Sequence, residues 1–227
     1  MDPNRKQWFD DQQALRRALK KPVQLEEATS LFLKQHATLH AFDVGGTDSW
    51  SLEEQVWDGL TEAQFRCIPA GQEHSIAWCY WHLARIEDIT MNLLVAGTDQ
   101  IYTYDDWKKR LHAPFDDTAN MIAPEDLKAL SEAVDFPELR AYRSAVGKRT
   151  REIVGSLSAA DILRKTPPER LQRGLDEGAI SPRAPRLVEY WGGLTVAGLL
   201  LMPPTRHNFS HINECLTLKR KIARAAP

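Results

Sequence analysis

The chain has 227 residues, 43% hydrophobic and 26% charged, with a formal net charge of −2. That balance excludes a disordered or fibrous chain and gives no electrostatic reason to expect duplex DNA or an anionic membrane as partner. Three cysteines, Cys67, Cys79 and Cys215, are an odd number in a chain too large to need stapling, which argues against a disulfide framework and for a reducing, cytoplasmic compartment.

Residues 1–22 are polar and charged and lack the apolar stretch of a signal peptide. They end at Lys20-Lys21-Pro22 and read as an N-terminal arm or short helix before a single helical domain over residues 23–227, a length that suits one core. From Gln24 to Phe42, the apolar positions Leu25, Ala28, Leu31, Phe32, Leu39 and Phe42 recur at helical spacing and stop at Val44-Gly45-Gly46, which predicts a first long helix. Ser49 or Ser51 is placed to cap a short helix from Glu53 to Leu60, and Pro69-Ala70-Gly71 forms a turn. Glu73 to Ala96 runs without glycine or proline until Gly97, which suits a left-handed helix cap, and makes the second long helix.

Between Tyr102 and Asp135 the pattern breaks into short helices within a long connection. Phe136 to Leu157 returns to a helical period as the third long helix. Prolines and glycines crowd residues 167–185, a loop with short turns. Arg186 to Met202 and Thr205 to Arg224 are two helical pieces meeting at Pro203-Pro204, where the prolines forbid an unbroken ladder. Alternating strand patterns are almost absent, so the fold class is all-α. The longest apolar run, Leu194 to Pro204, is about half of the roughly 20 residues a membrane-spanning helix needs.

Seven histidines are present, and the helical wheel separates them. At about 100° per residue, Ser75, Trp78, Cys79, Ile86, Ile89 and Leu93 fall within roughly 60° of His82, which puts His82 in the middle of the inward stripe. An imidazole there needs a hydrogen-bond partner or a metal, since a buried polar group left unpaired costs on the order of 1–3 kcal/mol. His74 lies about 80° off that axis and is expected to face water. His207 and His211 are an i, i+4 pair turned toward the core, able to grip one ion, although such a pair is more often ordinary packing. His36 and His40 have the same spacing but fall at the margin of their apolar stripe and read as solvated.

Three inward histidines from two helices match the three-ligand pattern of catalytic zinc-type sites, which keep a further position open. The charge of an ion held by neutral imidazoles can lower a bound water's pKa toward about 7. Glu214, about 20° from His207 on the wheel, is placed to orient a ligand or to accept a proton; the plainer alternative is a partly exposed carboxylate paired with Arg or Lys. Cys79 and Cys215 also face the site. A thiolate from either would close it and argue for a structural role, whereas buried cysteine more often acts as a small hydrophobe.

Two segments carry a resemblance. WDGLTEAQFRCIPAGQEHSIAWCYWHLARIED, with Ser75, Trp78, His82, Leu83, Ala84, Glu87 and Asp88 in pattern, and GGLTVAGLLLMPPTRHNFSHINECLTLKRK, with its H-x-x-x-H at His207 and His211, together resemble the DinB-like or YfiT-like superfamily of bacterial damage-inducible helical proteins. The resemblance implies a four-helix bundle, here with extra short helices in long connections, binding nickel, zinc or a similar divalent ion through His82, His207 and His211. Members of that superfamily with an assigned activity are mostly thiol-dependent transferases using mycothiol or bacillithiol, and the rest are regarded as hydrolases. The resemblance therefore implies a metal-dependent enzyme, either a hydrolase or a small-thiol S-transferase, acting on a small molecule. It leaves room for a homodimer paired through exposed helix faces. The alternative from another class is a non-catalytic, stress-related bundle that binds a metal or ligand.

Overall fold

A computed structural model of the protein describes residues 2–46 and 50–225. It is 71% helical, and among the described residues the one strand-like pairing is a single bridge between Lys165 and Thr195. The fold is therefore all-α, as the missing period-2 alternation predicts.

Helix α1 (Pro3–Ala18) starts with Pro3 in its first turn and with the Asp2 side chain accepting the N–H of Asn4, two features that suit a helix start. The charged segment that reads as an arm has a buried side made of Trp8, Leu15 and Ala18. Trp8 lies face to face with Phe209, ring centroids 3.9 Å apart, and Arg5 donates to the side-chain oxygen of Asn213. The first helix is thus tied to the last.

Helix α2 (Leu25–Ala37) packs against α1. It ends earlier than Phe42, because Thr38 Oγ1 bonds the carbonyl of Gln35 and the N–H of Leu39 bonds that of His36, a tightening that turns the chain out of the helix. Ser51 caps the short helix Leu52–Trp57, its hydroxyl accepting from the N–H groups of Glu53 and Glu54. Ser49, the other capping candidate, lies outside the described residues.

Helix α3 (Ile76–Asp88) is buried at every residue, and Ser75 Oγ caps it by accepting from Trp78 N–H at 3.0 Å. It continues as a π-helical stretch, Ile89–Ala96, which stops at Gly97 with φ +75°, the left-handed cap expected there. A helix buried on all sides must pair its charges. Asp88 does so by accepting from the N–H groups of Ile101 and Tyr102 and from the Tyr142 hydroxyl, which anchors the connection that follows. Arg85 donates to Tyr142 and Gln100.

Helix α4 (Phe136–Ser156) and helix α5 (Asn208–Ala225) both pack on α3. The apolar interior forms two clusters along α3, one around Trp78 and Trp81 and one around Ile89 and Trp191; His82 sits near the changeover. The prolines mark a junction, as expected. The helix Val196–Leu200 ends before them, and a π-helical segment, Met202–His207, holds Pro203 and Pro204 in its opening turn and runs straight into α5. In an opening turn neither the missing N–H nor the ring disturbs a hydrogen bond, so proline is tolerated there while the preceding ladder stops. Among the described residues no helix is long and apolar enough to cross a membrane.

Candidate metal centre

His82 comes from the middle of α3, His207 from the end of the π-helical segment and His211 from the first turn of α5. Their ring nitrogens include one from each residue that lie within 4.8 Å of one another. The Nε2 atoms of His82 and His207 are 3.1 Å apart. Ring centroids are separated by 4.9 Å for His82 and His207, 5.0 Å for His82 and His211, and 4.7 Å for His207 and His211.

The surroundings decide which nitrogens face inward. His82 Nδ1 lies 2.6 Å from the carbonyl oxygen of Thr118. A carbonyl only accepts, so Nδ1 carries the proton and Nε2 presents its lone pair. Glu214 Oε2 lies 2.7 Å from His211 Nδ1 and commits that ring in the same sense. His207 Nδ1 is buried without a partner. Two lone-pair-bearing faces turned together, with no acceptor or donor from elsewhere between them among the described residues, form a donor set suited to a divalent cation, and the three imidazoles fit one.

Burial pushes the His82 pKa down to about 3, helped by His211, against the hydrogen bond to Thr118. His207 is pushed well below its ordinary value by burial and by His82 and His211. Both are neutral at pH 7, the state a metal ligand requires. Burial raises Glu214, but its bonds to His211 and His74 outweigh that and hold it at about 2. A carboxylate with both oxygens engaged and so low a pKa orients rings better than it accepts protons.

The Thr118 contact belongs to a longer arrangement. Four consecutive carbonyls, from Asp116 to Ala119, accept from the side chains of Arg85, Trp81, His82 and Trp78 respectively. Ala119 and Met121 both have φ +56°, which bends this loop over α3. Trp78 also stacks on the His82 ring, 4.6 Å between centroids at 11°. Solvent reaches the centre from the α5 side, where the His211 side chain is 19% exposed and Glu214 33% exposed; His82 is 3% exposed.

Two readings of the histidines need correction. His36 and His40 are fully buried, bonded through Nε2 to the two oxygens of Glu87 at 2.8 and 3.1 Å; their partner sits on another helix, beyond the reach of a single helical wheel. His74 does not simply face water. Its ring lies flat on Trp78 at 3.6 Å, and its Nδ1 is 2.7 Å from Glu214 Oε1, so Glu214 spans two histidines.

Cys79 is buried with Sγ close to His211 and Glu214. Burial, together with neighbouring Cys215 and Glu214, raises its pKa well above the ordinary value. Cys67, Cys79 and Cys215 are all free thiols.

The family model described as the DinB superfamily matches residues 47–202, a span that takes in His82 and stops just short of His207 and His211. None of the curated proteins compared with the chain matches it.

Proposed function

This chain belongs to the DinB superfamily, and on that footing we propose that it binds one divalent ion, nickel or zinc, through His82, His207 and His211 and works as a metal-dependent enzyme, a hydrolase or small-thiol S-transferase. The observation that carries the reading is the convergence of three buried or half-buried imidazoles, from segments 125 residues apart, with ring nitrogens of His82 and His207 at 3.1 Å. When bound, such an ion supplies the positive charge that makes a water or a thiol nucleophilic near neutral pH.

The chain's own residues do the rest. Thr118 and Glu214 orient two of the rings through Nδ1, Trp78 closes one wall, and a small substrate would approach from the α5 side, where His211 and Glu214 are partly exposed. The three free thiols suit a reducing compartment.

One observation favours a second reading, a non-catalytic bundle with a structural ion: Cys79 lies beside His211 and Glu214, where a thiolate would close the coordination shell. Replacing Cys79 with alanine separates the two. Undiminished metal content supports an open position, and loss of metal supports the closed one.

Metal analysis of purified His82→Ala and His207→Ala proteins tests the site. Each is expected to lose stoichiometric metal; unchanged content overturns the assignment. For the chemistry, a panel of small thiols including mycothiol and bacillithiol, offered with an electrophile, is expected to give activity that a chelator abolishes. Activity surviving complete metal removal overturns the metal-dependent reading.

A further inference from the structure

Glu87 lies in α3, five residues beyond His82, and the donors it meets come from elsewhere in the fold: His36 from α2, His40 from the turn that follows α2, and Asn208 from α5. Oε1 accepts from His36 Nε2 at 2.8 Å, and Oε2 accepts from His40 Nε2 at 3.1 Å and from Asn208 Nδ2 at 2.6 Å. All four residues are fully buried. A carboxylate only accepts, so each imidazole presents an N–H on Nε2, and Nδ1, which has no partner, is left as the bare acceptor. The two rings stack with centroids 4.0 Å apart, and Gly147 makes room for them: a Cβ there would lie 2.6 Å from His40 Nδ1.

Asn208 is the first residue of α5 and directly follows His207. Its bond to Glu87 therefore ties the start of the helix that carries His211, and the residue next to His207, to the helix that carries His82. We propose that Glu87, backed by His36 and His40, is a positioning residue that sets the metal affinity of the three-histidine centre by clamping Asn208 and so holding His207 in register with His82. This rests on the three-histidine reading above.

The cluster is not itself an ion site, although its ligand atoms lie within 4.8 Å of one another. The Arg143 guanidinium is 3.9 Å from Glu87 Oε2 and 2.9 Å from Glu53, so a second cation would meet a buried positive charge.

The test measures affinity for Zn(II), by competition with a chromophoric chelator, and the visible spectrum with Co(II), at a temperature where each variant is fully folded. Glu87→Gln offers one acceptor oxygen where three donors need two, and Asn208→Ala cuts the clamp while leaving the His–Glu–His cluster whole. Ile153→Ala, in the other apolar cluster, serves as a destabilised control, and His207→Ala as the reference for loss of a ligand. Glu87→Gln is expected to weaken Zn(II) binding about 10–100-fold, with Asn208→Ala weakening it in the same direction. Both should alter the Co(II) bands, while Ile153→Ala leaves affinity and spectrum unchanged.

Affinity within twofold of the native protein in both Glu87→Gln and Asn208→Ala overturns the proposal, as does an equal loss in Ile153→Ala. A native protein that takes up two ions, one of which Glu87→Gln removes, overturns it too, because the cluster would then be a ligand set. If His207→Ala leaves affinity unchanged, it is the three-histidine reading that fails.

Discussion

The Nδ1 of His82 and the carbonyl oxygen of Thr118 lie 2.6 Å apart, and that one bond settles which face of the imidazole turns toward His207 and His211. Ligand histidines characteristically spend their second nitrogen in this way. Here the acceptor is a main-chain atom from a loop that itself hangs on α3 through three further side chains, so the face that His82 turns toward His207 and His211 and the seat of the loop are determined together.

Glu214 performs the corresponding task for His211, with its other oxygen on His74. Glu214→Gln keeps the volume but must turn an N–H₂ toward one of the two rings. Zn(II) affinity is expected to fall about 10–100-fold, read by chelator competition. Unchanged affinity would mean that packing alone orients His211.

Acid should unfold the metal-free protein early. His36, His40, His82 and His207 are all held below their ordinary value of 6.5 by burial, His82 at about 3. The unfolded chain therefore takes up protons below pH 6.5 that the folded chain refuses. Stability is full above that pH and falls toward pH 3, by about 1.4 kcal/mol per pH unit for each such proton. Glu214, lowered from 4.5 to about 2, adds to the loss between those values, while Glu53 and Asp88, raised by burial, oppose it. Urea midpoints measured from pH 8 to pH 4 check this. A flat profile between 6.5 and 5 would contradict it.

Two glycines of α4 should respond in opposite directions to the same change. Nothing lies within 4 Å of a Cβ built on Gly155, so Gly155→Ala is expected to stabilise by about 0.5–1 kcal/mol through helix propensity. At Gly147 the Cβ would lie 2.6 Å from His40 Nδ1 and 2.9 Å from Val44 Cγ1. Gly147→Ala is expected to destabilise by about 1–3 kcal/mol, despite the same propensity gain. Denaturant melts of the pair decide it.

Much of this architecture was legible in the residues. The i, i+4 pair His207 and His211 and the position of His82 within an apolar stripe express helical periodicity, which a wheel reads well. Gly97 announced its own cap. What escaped depended on partners distant in the chain. His36 and His40 looked marginal on their own helix, and only Glu87, some 50 residues on, gives them a reason to be buried. A usable signal existed: Arg85, Glu87 and Asp88 interrupt a helix otherwise apolar on all sides, and charges in such a place demand buried partners. Thr118 could not have been found, since its contribution is a backbone oxygen placed by the path of a loop.

The π-helical stretch Met202–His207 closes its hydrogen bonds over five residues where an α-helix uses four. Removing any one of residues 202–206 would return the ladder to α phase and swing His207 and His211 by about 100° around the axis, away from His82, with all three histidines still in the chain. The centre is thereby written in the spacing of the chain as well as in its letters, and a single-residue deletion can undo it with none of the three histidines replaced.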